Sequence, residues 1–211
     1  MPPPRLSQAE RREATRAALL AAGRELFAEH GAAAVSAEQL VANAGVSRGA
    51  MYHHFHDKND LFRAVFEQLE EQLCAELTSR IDAAPSPVEG LMQAVEGFLD
   101  ACQRPEVRQI ALIDAPKVLG WATWREIETR YALGVLTDRL RALTDLGTHL
   151  EEPDVLAQLV FSAAIEGAQM IATSPHPAET RAHVELALRL LAAGILGMAA
   201  DRPAPSPGDT S

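Results

Sequence analysis

The stretch VSAEQLVANAGVSRGAMYHHFHDKNDLF, residues 35–62, holds two short segments with helical spacing of apolar residues, separated by Gly45. A serine precedes each segment, and serine is a favoured N-cap because its hydroxyl accepts a hydrogen bond from a backbone N–H of the first turn. Glycine between the segments tolerates the left-handed backbone of a tight turn. The pattern predicts a helix over about 37–44, a turn, and a second helix ending near His54, which together form a helix-turn-helix.

The same spacing divides the two segments into a small core and an exposed face. Four apolar residues are expected to lie inward and to fix the angle between the helices: Leu40, Val41, Val46 and Met51. The residues expected to face outward are Arg48, Gly49, Tyr52 and His53. A cation and aromatic side chains beside a residue with no side chain suit a surface that contacts DNA.

Longer helices are predicted on both sides of this motif. Apolar residues recur at helical spacing over residues 8–30, and a glycine follows. Asp57 is placed to cap a long helix over about 58–81. The segment AAPSP, residues 83–87, then marks the clearest boundary inside the chain.

Five further helices are predicted after this boundary, and no segment shows the alternating pattern of a strand. Two prolines, at positions 105 and 116, and the segments LGTHLEEP and SPHP separate these helices. The expected ranges are 88–102, 106–114, 117–143, 154–173 and 178–200. The fold class is therefore predicted to be all-α.

Charge is distributed unevenly along the chain, whose formal net charge is −10. Residues 1–60 carry seven Lys or Arg against seven acids, whereas residues 61–211 carry twelve against 22. All of the net negative charge therefore lies in the second part. Because binding to phosphates needs cations, only the N-terminal part is suited to approach a nucleic acid.

The cysteines and the hydropathy of the chain indicate its compartment. The only cysteines are Cys74 and Cys102, which are too few and too far apart for a metal site and are typical of reduced thiols. No run approaches the roughly 18 apolar residues of a membrane span, and no apolar signal segment is recognisable. We therefore expect a cytoplasmic protein with no membrane partner, no metal and no cofactor.

From about residue 12 to residue 66 the chain resembles the N-terminal domain of the TetR family of transcriptional regulators. The resemblance covers the helix ending in ELFAEHG, the AGVS turn, the GAMYHHF recognition helix and the DKNDLF entry into the next helix. It implies a three-helix helix-turn-helix DNA-binding domain over residues 8–57 and a helical ligand-binding and dimerisation domain over residues 58–200. The ends, residues 1–7 and 201–211, are rich in proline, serine and charge and are expected to be disordered.

The resemblance also implies which residues contact double-stranded DNA. Arg48 can donate two hydrogen bonds to guanine O6 and N7, and Gly49 lets the helix approach the groove closely. Tyr52 and His54 match family positions that touch the DNA backbone, while the serine caps and Lys58 match contacts to phosphate. The implied DNA-binding set is Ser36, Ser47, Arg48, Gly49, Tyr52, His53, His54 and Lys58.

Glu38 departs from the family pattern, because an arginine is frequent at its place. An acid that faces phosphate weakens binding to DNA. Fewer phosphate contacts than usual are therefore expected on this side of the motif. Phe55 and Leu61, which flank the entry into the next helix, are expected to belong to the core.

Three histidines within four positions raise the alternative of a metal-dependent hydrolase built on His53, His54, His56 and Asp57. A metal site needs at least three converging ligands, yet His53 and His54 are adjacent on one helix and diverge. Only His53 and Asp57 share a face, at i and i+4. No serine or cysteine nucleophile has a recognisable base, so an enzyme is not expected.

The last two predicted helices are rich in small and aliphatic residues. A protein that reads two successive major grooves needs a two-fold partner, because the half-sites lie about 34 Å apart. In the resembled family these helices form a four-helix bundle with those of the second subunit, and an internal core pair is the alternative. The expected contacts of the homodimer are Leu159, Ala163, Gly167, Met170, Leu186, Leu190, Ala193 and Gly197.

Apolar and aromatic residues of the middle helices are candidates to line a cavity for a small molecule. Packing inside the helical bundle is the alternative for each of them. The two tryptophans lie three residues apart, so their rings need not face the same way. The candidate ligand-binding set is Met92, Val95, Phe98, Trp121, Trp124, Tyr131 and Gln169.

Together these features predict a DNA-binding regulator of transcription. Repression is favoured because no module that would recruit polymerase is recognisable. The protein is expected to bind a palindromic operator as a homodimer and to leave it when a small apolar ligand, the inducer, binds. A helical adaptor that binds only protein is a further alternative, which Arg48, Gly49 and Lys58 at the expected places disfavour.

Overall fold

The computed structural model describes residues 7–145 and 152–200, and all regular elements within these ranges are helical. The first four helices are α1 (Gln8–His30), α2 (Ala37–Asn43), α3 (Arg48–His54) and α4 (Lys58–Ala83). They are followed by α5 (Pro87–Gln103), α6 (Pro105–Val107), the π-helix π1 (Arg108–Asp114), α7 (Ala115–Leu119), α8 (Trp121–Glu128), the π-helix π2 (Thr129–Leu133), α9 (Gly134–Asp145), α10 (Pro153–Thr173) and α11 (Pro177–Ala200). The predicted all-α class is confirmed.

Side-chain caps define where α2, α3 and α4 begin. The hydroxyls of Ser36 and Ser47 each accept a hydrogen bond, at 3.2 Å, from the backbone N–H three residues later. The Asp57 carboxylate accepts one from the Asp60 N–H at 2.8 Å. These three predicted starts are confirmed, and each cap satisfies an N–H group that has no partner within the helix.

The helices after α5 differ from the prediction in three places. Helical structure continues through Pro116, which was expected to be a break, because proline in the first turn of α7 is not required to donate an N–H. The single helix predicted over 117–143 is interrupted at Gly120, whose left-handed φ of 77° ends α7. The π2 segment interrupts the predicted helix a second time.

Three sequence predictions lie wholly or partly outside the described residues. They are the disordered ends predicted at 1–7 and 201–211, of which residues 1–6 and 201–211 lie outside the described ranges, and the break at LGTHLEEP, which includes residues 146–151. Ser7 begins the described chain and forms a capping box with Glu10, in which each side chain accepts a hydrogen bond from the other residue's backbone N–H.

The chain divides into two compact units, and the first comprises the residues up to Glu71 together with Arg104–Ile127. This unit contains the helix-turn-helix and also a segment that is distant from it in sequence. Phe27 of α1 and Phe62 of α4 meet edge to face in its core, with ring centroids 5.2 Å apart. Other buried members of the unit are Leu19, Leu40, Met51, Phe55, Leu61, Val65, Phe66, Ile110 and Trp124.

The second unit comprises Gln72–Gln103 and the described residues from Glu128 onward. Its last two helices, α10 and α11, approach each other closely at Gly167, where an added Cβ would lie 2.5 Å from Val184 Cγ1. Any side chain at this position would therefore require Val184 to shift or the two helices to separate. The buried residues beside this contact are Leu99, Ala164, Ile171, Val184 and Leu188.

One helix within the described ranges, α10, has the length and composition that would allow it to cross a membrane. Of its most apolar window, 44% is buried inside the fold. Phe161, Ile165 and Ile171 are among its buried residues. This burial is what the core helix of a globular unit requires, and it accounts for the apolar composition of α10.

Glu70 of α4 is a buried carboxyl group with only 5% of its surface exposed. Because burial removes water from the carboxylate, it raises the pKa of Glu70 from 4.5 to about 7. The folded-state pKa thus lies above the unfolded one. This group therefore favours folding at acidic pH, and its contribution is lost as the pH rises through 7.

Candidate nucleic-acid interface

The turn between α2 and α3 has the predicted construction. Gly45 has a φ of 65°, and a Cβ added to it would meet no atom within 4 Å, so the backbone conformation rather than lack of space requires glycine. The Val46 N–H donates to the Val41 carbonyl at 3.0 Å. Leu40 and Met51 are fully buried, while the two valines are partly buried. This small core fixes α3 against α2.

Helix α3 presents the face that the sequence predicts. Its exposed residues are Arg48, Gly49, Tyr52 and His53, and His54 is half-buried. Met51, on the opposite side of the same helix, has no exposed surface and anchors α3 to the unit. A helix held by one side and open on the other has the form that enters a major groove.

Arg48 is already engaged in the free protein. Its Nη1 lies 2.6 Å from Oε1 of Glu38, and its Nη2 lies 3.5 Å from the Tyr52 hydroxyl. The Tyr52 hydroxyl and, secondarily, the Glu38 carboxylate raise the pKa of Arg48. Glu38, which the sequence marks only as a departure from a family pattern, thus contacts the predicted base-reading residue.

Two arginines of α1 lie close to α3. The pKa of His54 is lowered, chiefly because burial removes water from its charged form. Positive charge on the nearby His53, Arg12 and Arg16 lowers it further. The Arg16 guanidinium also lies 5.3 Å from the centre of the Phe55 ring. These two cations beside α3 were not among the predicted site residues, although their i, i+4 spacing places both on one face of α1.

Lys58 holds the loop between α1 and α2. Its Nζ donates to the carbonyl oxygens of Ala32 and Val35 at 2.7 and 2.8 Å. The ammonium group is therefore partly buried and fixes the loop from which α2 starts. The family resemblance implies a phosphate contact for this lysine, and the structure adds a positioning role in the free protein.

A buried carboxylate holds the same loop from its other side. Asp114, 7% exposed at the end of π1, accepts hydrogen bonds from the Ala32 N–H at 2.8 Å and from Nε2 of Gln109 at 3.0 Å. Ala32 is thus bound through its N–H by Asp114 and through its carbonyl by Lys58. The sequence signal for Asp114 is a single acid inside the apolar run QIALIDAPKVL, but its partner lies 82 residues away.

An ion pair joins α1 to α6 within the first unit. Arg24 donates from Nε and Nη2 to the two carboxylate oxygens of Glu106, both at 2.8 Å. This two-pronged contact lowers the pKa of Glu106. Within the first unit, the segment Arg104–Ile127 is therefore tied both to α1 and to the loop that follows α1.

The predicted metal alternative can be compared with the geometry. His53 and His54 have ring centroids 5.6 Å apart, and His56 Nδ1 lies 3.5 Å from Asp57 Oδ2. Within the described part of the chain, no group of three or more His, Cys, Asp or Glu side chains is placed to hold a metal ion. Asp57 is instead the cap of α4, and hydrogen bonding to the Asp60 N–H lowers its pKa.

Two of the apolar cavities in the second unit share part of their linings. The first, of about 80 Å³, includes Cys74, Leu77, Val95, Phe98, Arg139 and Phe161 in its lining. The second, of about 310 Å³, includes Leu91, Val95, Leu140, Leu156, Leu159, Val160 and Leu188. Val95 belongs to both linings. The guanidinium of Arg139 donates to Asp82 at 2.6 Å.

The structure brings some of the candidate ligand-binding residues together and not others. Val95 and Phe98 line a cavity, whereas Met92 packs beside it against Leu91 and Leu140. Trp121 and Trp124 belong to the first unit and line neither cavity. The two remaining candidates, Tyr131 and Gln169, are half-buried on π2 and α10.

The two tryptophan rings, which were not required to face the same way, lie next to each other. The ring centroids of Trp121 and Trp124 lie 4.8 Å apart, because residues at i and i+3 share a side of a helix. Trp121 is 64% exposed, whereas Trp124 is fully buried. The buried indole N–H of Trp124 has no hydrogen-bond partner among the described residues.

Most of the predicted dimer contacts lie on an exposed apolar face of α10 and α11. The large side chains of this face are 51–65% exposed: Leu159, Met170, Leu186 and Leu190. Ala193 is also exposed and Ala163 is partly buried, while the burial of Gly197 lies outside what the structure describes. Gly167 is buried against Val184 of its own chain, so its small size serves the packing of α10 on α11 within the subunit.

The fold and the exposed face of α3 define a helix-turn-helix regulator of transcription. Two family models agree with this: residues 19–65 match that of bacterial regulatory proteins, tetR family, and residues 88–195 match the tetracyclin repressor-like, C-terminal domain. The chain belongs to the TetR family of DNA-binding transcriptional regulators. This membership leaves the hydrolase alternative without support.

Similar proteins agree with this membership. HTH-type transcriptional regulator CymR of Pseudomonas putida is 35% identical over 174 residues, which cover 77% of this chain and 82% of that protein. HTH-type transcriptional repressor BepR of Brucella suis is 37% identical over 111 residues, covering 50% and 51%. The crystal structure of a TetR-family transcriptional regulator from Pectobacterium atrosepticum has a TM-score of 0.81 and 33% identity, and covers 94% of this chain and 100% of that one.

Replacement of Asp114 by alanine should loosen the loop between α1 and α2. The buried Ala32 N–H would lose its acceptor, so we expect the free energy of unfolding to fall by about 1 to 3 kcal/mol and the Ala32 amide to exchange with solvent faster. Chemical denaturation and amide hydrogen exchange measure the two effects. The exposed Glu25→Ala in α1 is the control and should change neither. Unaltered exchange at Ala32 in Asp114→Ala would show that this hydrogen bond does not hold the loop.

Proposed function

We propose that the protein is a repressor that binds a palindromic operator as a homodimer and releases it when a small apolar molecule binds in the second unit. The observation that carries the DNA-binding part is the exposed face of α3, in which Arg48 and Tyr52 project outward from a helix anchored by Met51. The name of BepR, a transcriptional repressor, supports repression. Members of the family are soluble DNA-binding proteins, and we place this one in the cytoplasm.

Base recognition is assigned to Arg48, whose guanidinium can donate to guanine O6 and N7. Gly49 allows the helix backbone to lie near the groove, since it adds no side chain there. Tyr52, His53 and His54 follow along the same helix and contact the sugar–phosphate backbone. The assigned phosphate contacts at the ends of the motif are Ser36, Ser47 and Lys58.

Arg48→Ala should lose discrimination at one base pair in each half-site. Loss of a two-pronged base contact costs about 1 to 3 kcal/mol and affects the cognate sequence more than others. Fluorescence anisotropy with the selected operator and with its single-base variants measures the difference. If binding fell by the same factor for every sequence, Arg48 would be a phosphate contact and the assignment would be wrong.

The counterpart is Lys58→Ala, which should weaken all duplexes alike and lower the salt slope by about one per subunit. Because Lys58 also holds the loop after α1, the thermal unfolding of the variant is measured alongside. A Lys58→Ala protein with an unchanged salt slope would show that this lysine positions the loop and does not contact phosphate.

Dimerisation is assigned to the exposed apolar face of α10 and α11. Exposed large side chains such as Leu159, Leu186 and Leu190 form a patch that would be unfavourable in water if it stayed uncovered. A second copy related by two-fold symmetry would cover it and would place two α3 helices for two half-sites. Gly167 shapes this face from inside the subunit.

Leu190→Glu should yield a monomer that remains helical and binds operator weakly. A buried glutamate would oppose its copy across the two-fold axis, and a single half-site contact would replace two, which weakens binding by about 100-fold or more. Analytical ultracentrifugation at micromolar concentration and circular dichroism measure the two properties. Val88→Glu, at a residue of α5 that is 41% exposed, is the matched control. A wild-type monomer under these conditions would contradict the proposed dimer.

Ligand binding is assigned to the two cavities of the second unit. Their linings are apolar, and the charged group in the first lining, Arg139, is already paired with Asp82. This environment favours a neutral apolar molecule, with Val95 and Phe98 in contact with it. Helix α4 runs from Lys58 in the first unit to Leu77 in the cavity lining, and it is the element assigned to couple the two functions.

A ligand that releases DNA must itself bind more weakly to the operator complex, because coupling between two sites is reciprocal. The expected difference is about 1 to 3 kcal/mol. Calorimetric titration of free and operator-bound protein with a panel of neutral apolar compounds measures it. Ala94→Phe, which fills the first cavity, should remove the response and leave operator binding intact. A cavity ligand with equal affinity for both forms would contradict the proposed coupling.

A further inference from the structure

Glu38 and Arg48 form an ion pair on the surface proposed to face DNA. Their 2.6 Å contact joins α2 to α3, and the side chains are 64% and 61% exposed. Exposed ion pairs contribute little to stability, since water and salt screen them and ordering two side chains costs entropy. The fold therefore does not depend on this pair, and its role concerns what the surface binds.

The pair orients the guanidinium of Arg48. Glu38 holds Nη1, while Nη2 lies beside the Tyr52 hydroxyl and Cζ lies 5.6 Å from the centre of the Tyr52 ring. A long side chain without such contacts loses much rotamer freedom when it binds. Arg48, held from two sides, has already lost part of that freedom before DNA arrives.

Glu38 also removes the net charge of the motif. Within α2 and α3 it is the single acid, and Arg48 is the single Lys or Arg, so the two helices have a formal charge of zero when their histidines are neutral. Attraction between cations and phosphates supplies most binding to arbitrary DNA. A neutral motif therefore leaves more of the binding energy to contacts with bases.

The two side chains complement one base pair. Arginine donates to guanine O6 and N7, and a carboxylate accepts from the N4 amino group of cytosine. Glu38 uses Oε1 for Arg48, and no hydrogen bond to its Oε2 occurs in residues 7–145 and 152–200. Donor and acceptor thus lie side by side, as the major-groove edges of guanine and cytosine do.

We infer that Glu38 is a specificity-determining residue, which orients Arg48, suppresses binding to arbitrary DNA and accepts a hydrogen bond from cytosine, so that the two residues read one G·C pair in each half-site. This inference rests on the proposed DNA-binding function of α3.

The test compares the full-length protein with Glu38→Ala, which removes both the charge and the acceptor. Alanine at this exposed helical position preserves the fold, because the α2 cap is formed by Ser36 and Gln39. Glu25→Ala is the matched control, since it removes the same charge from an exposed position of α1 in the same unit. The probes are a duplex enriched by the wild-type protein from a random library, its single-base-pair variants, and an unrelated duplex of equal length.

Glu38→Ala should bind the unrelated duplex about 5- to 10-fold more tightly, with a salt slope steeper by about one per subunit. Its preference for the G·C pair assigned to Arg48 should fall about tenfold. Replacement of the cytosine of that pair by 2-pyrimidinone, which lacks the amino group, should weaken the wild-type complex several-fold and leave the variant unaffected. Glu25→Ala should behave as wild type in all three measurements.

Equal strengthening of every duplex by Glu38→Ala would show that Glu38 only repels phosphate, and the inference would be wrong. Equal sensitivity of both proteins to 2-pyrimidinone would overturn the contact with cytosine. Both results leave a selective wild-type protein and so contradict only the role of Glu38. A wild-type protein that enriches no sequence would overturn the proposed function and this inference with it.

Discussion

Helices of seven residues do not persist alone in water, because two turns of hydrogen bonds do not repay the cost of nucleation. Both α2 and α3 have this length. They exist through the burial of Leu40 and Met51 and through the serine caps that begin them. The direction in which Arg48 points is therefore a property of this small core and not of α3 by itself.

The same dependence extends to residues outside the motif. The loop that leads into α2 is held at Ala32, by Lys58 on one side and by Asp114 on the other. Arg24 and Glu106 add a second attachment of the same distant segment to α1. The DNA-facing surface is thus supported in part by side chains outside the helix-turn-helix, and a change in segment 104–127 has a direct physical route to it.

The sequence predicts the parts of this structure that local chemistry determines. Serine caps, Gly45 and the spacing of apolar residues are read within a few positions, and they define α1 to α4 and the exposed set on α3. Pro116 was expected to end a helix and instead lies in the first turn of α7, while Gly120 was expected inside a helix and instead ends α7. The effect of proline depends on whether its turn begins a helix. That context comes from tertiary packing rather than from neighbouring residues.

The contacts that remained unpredicted join residues far apart in sequence. Asp114 and Ala32 are 82 positions apart, as are Arg24 and Glu106, and neither pair has a local signal that identifies its partner. Glu38 is a different case. Its position ten residues before Arg48 was visible, but the meeting of the two side chains depends on the angle between α2 and α3.

The π-helical form of π1 has a geometric consequence. A π-helix bonds residue i to i+5, so it accommodates one residue more per turn than the ordinary bonding to i+4. If residues 108–114 returned to α geometry, the extra residue in the π turn would be wound into the α-helix. The chain after π1 would then rotate by about 100° about the helix axis, which is the turn per residue of an α-helix. Asp114 is the last residue of π1, and such a rotation would carry its carboxylate away from the Ala32 amide. The winding of one short segment therefore sets whether the loop before α2 is held.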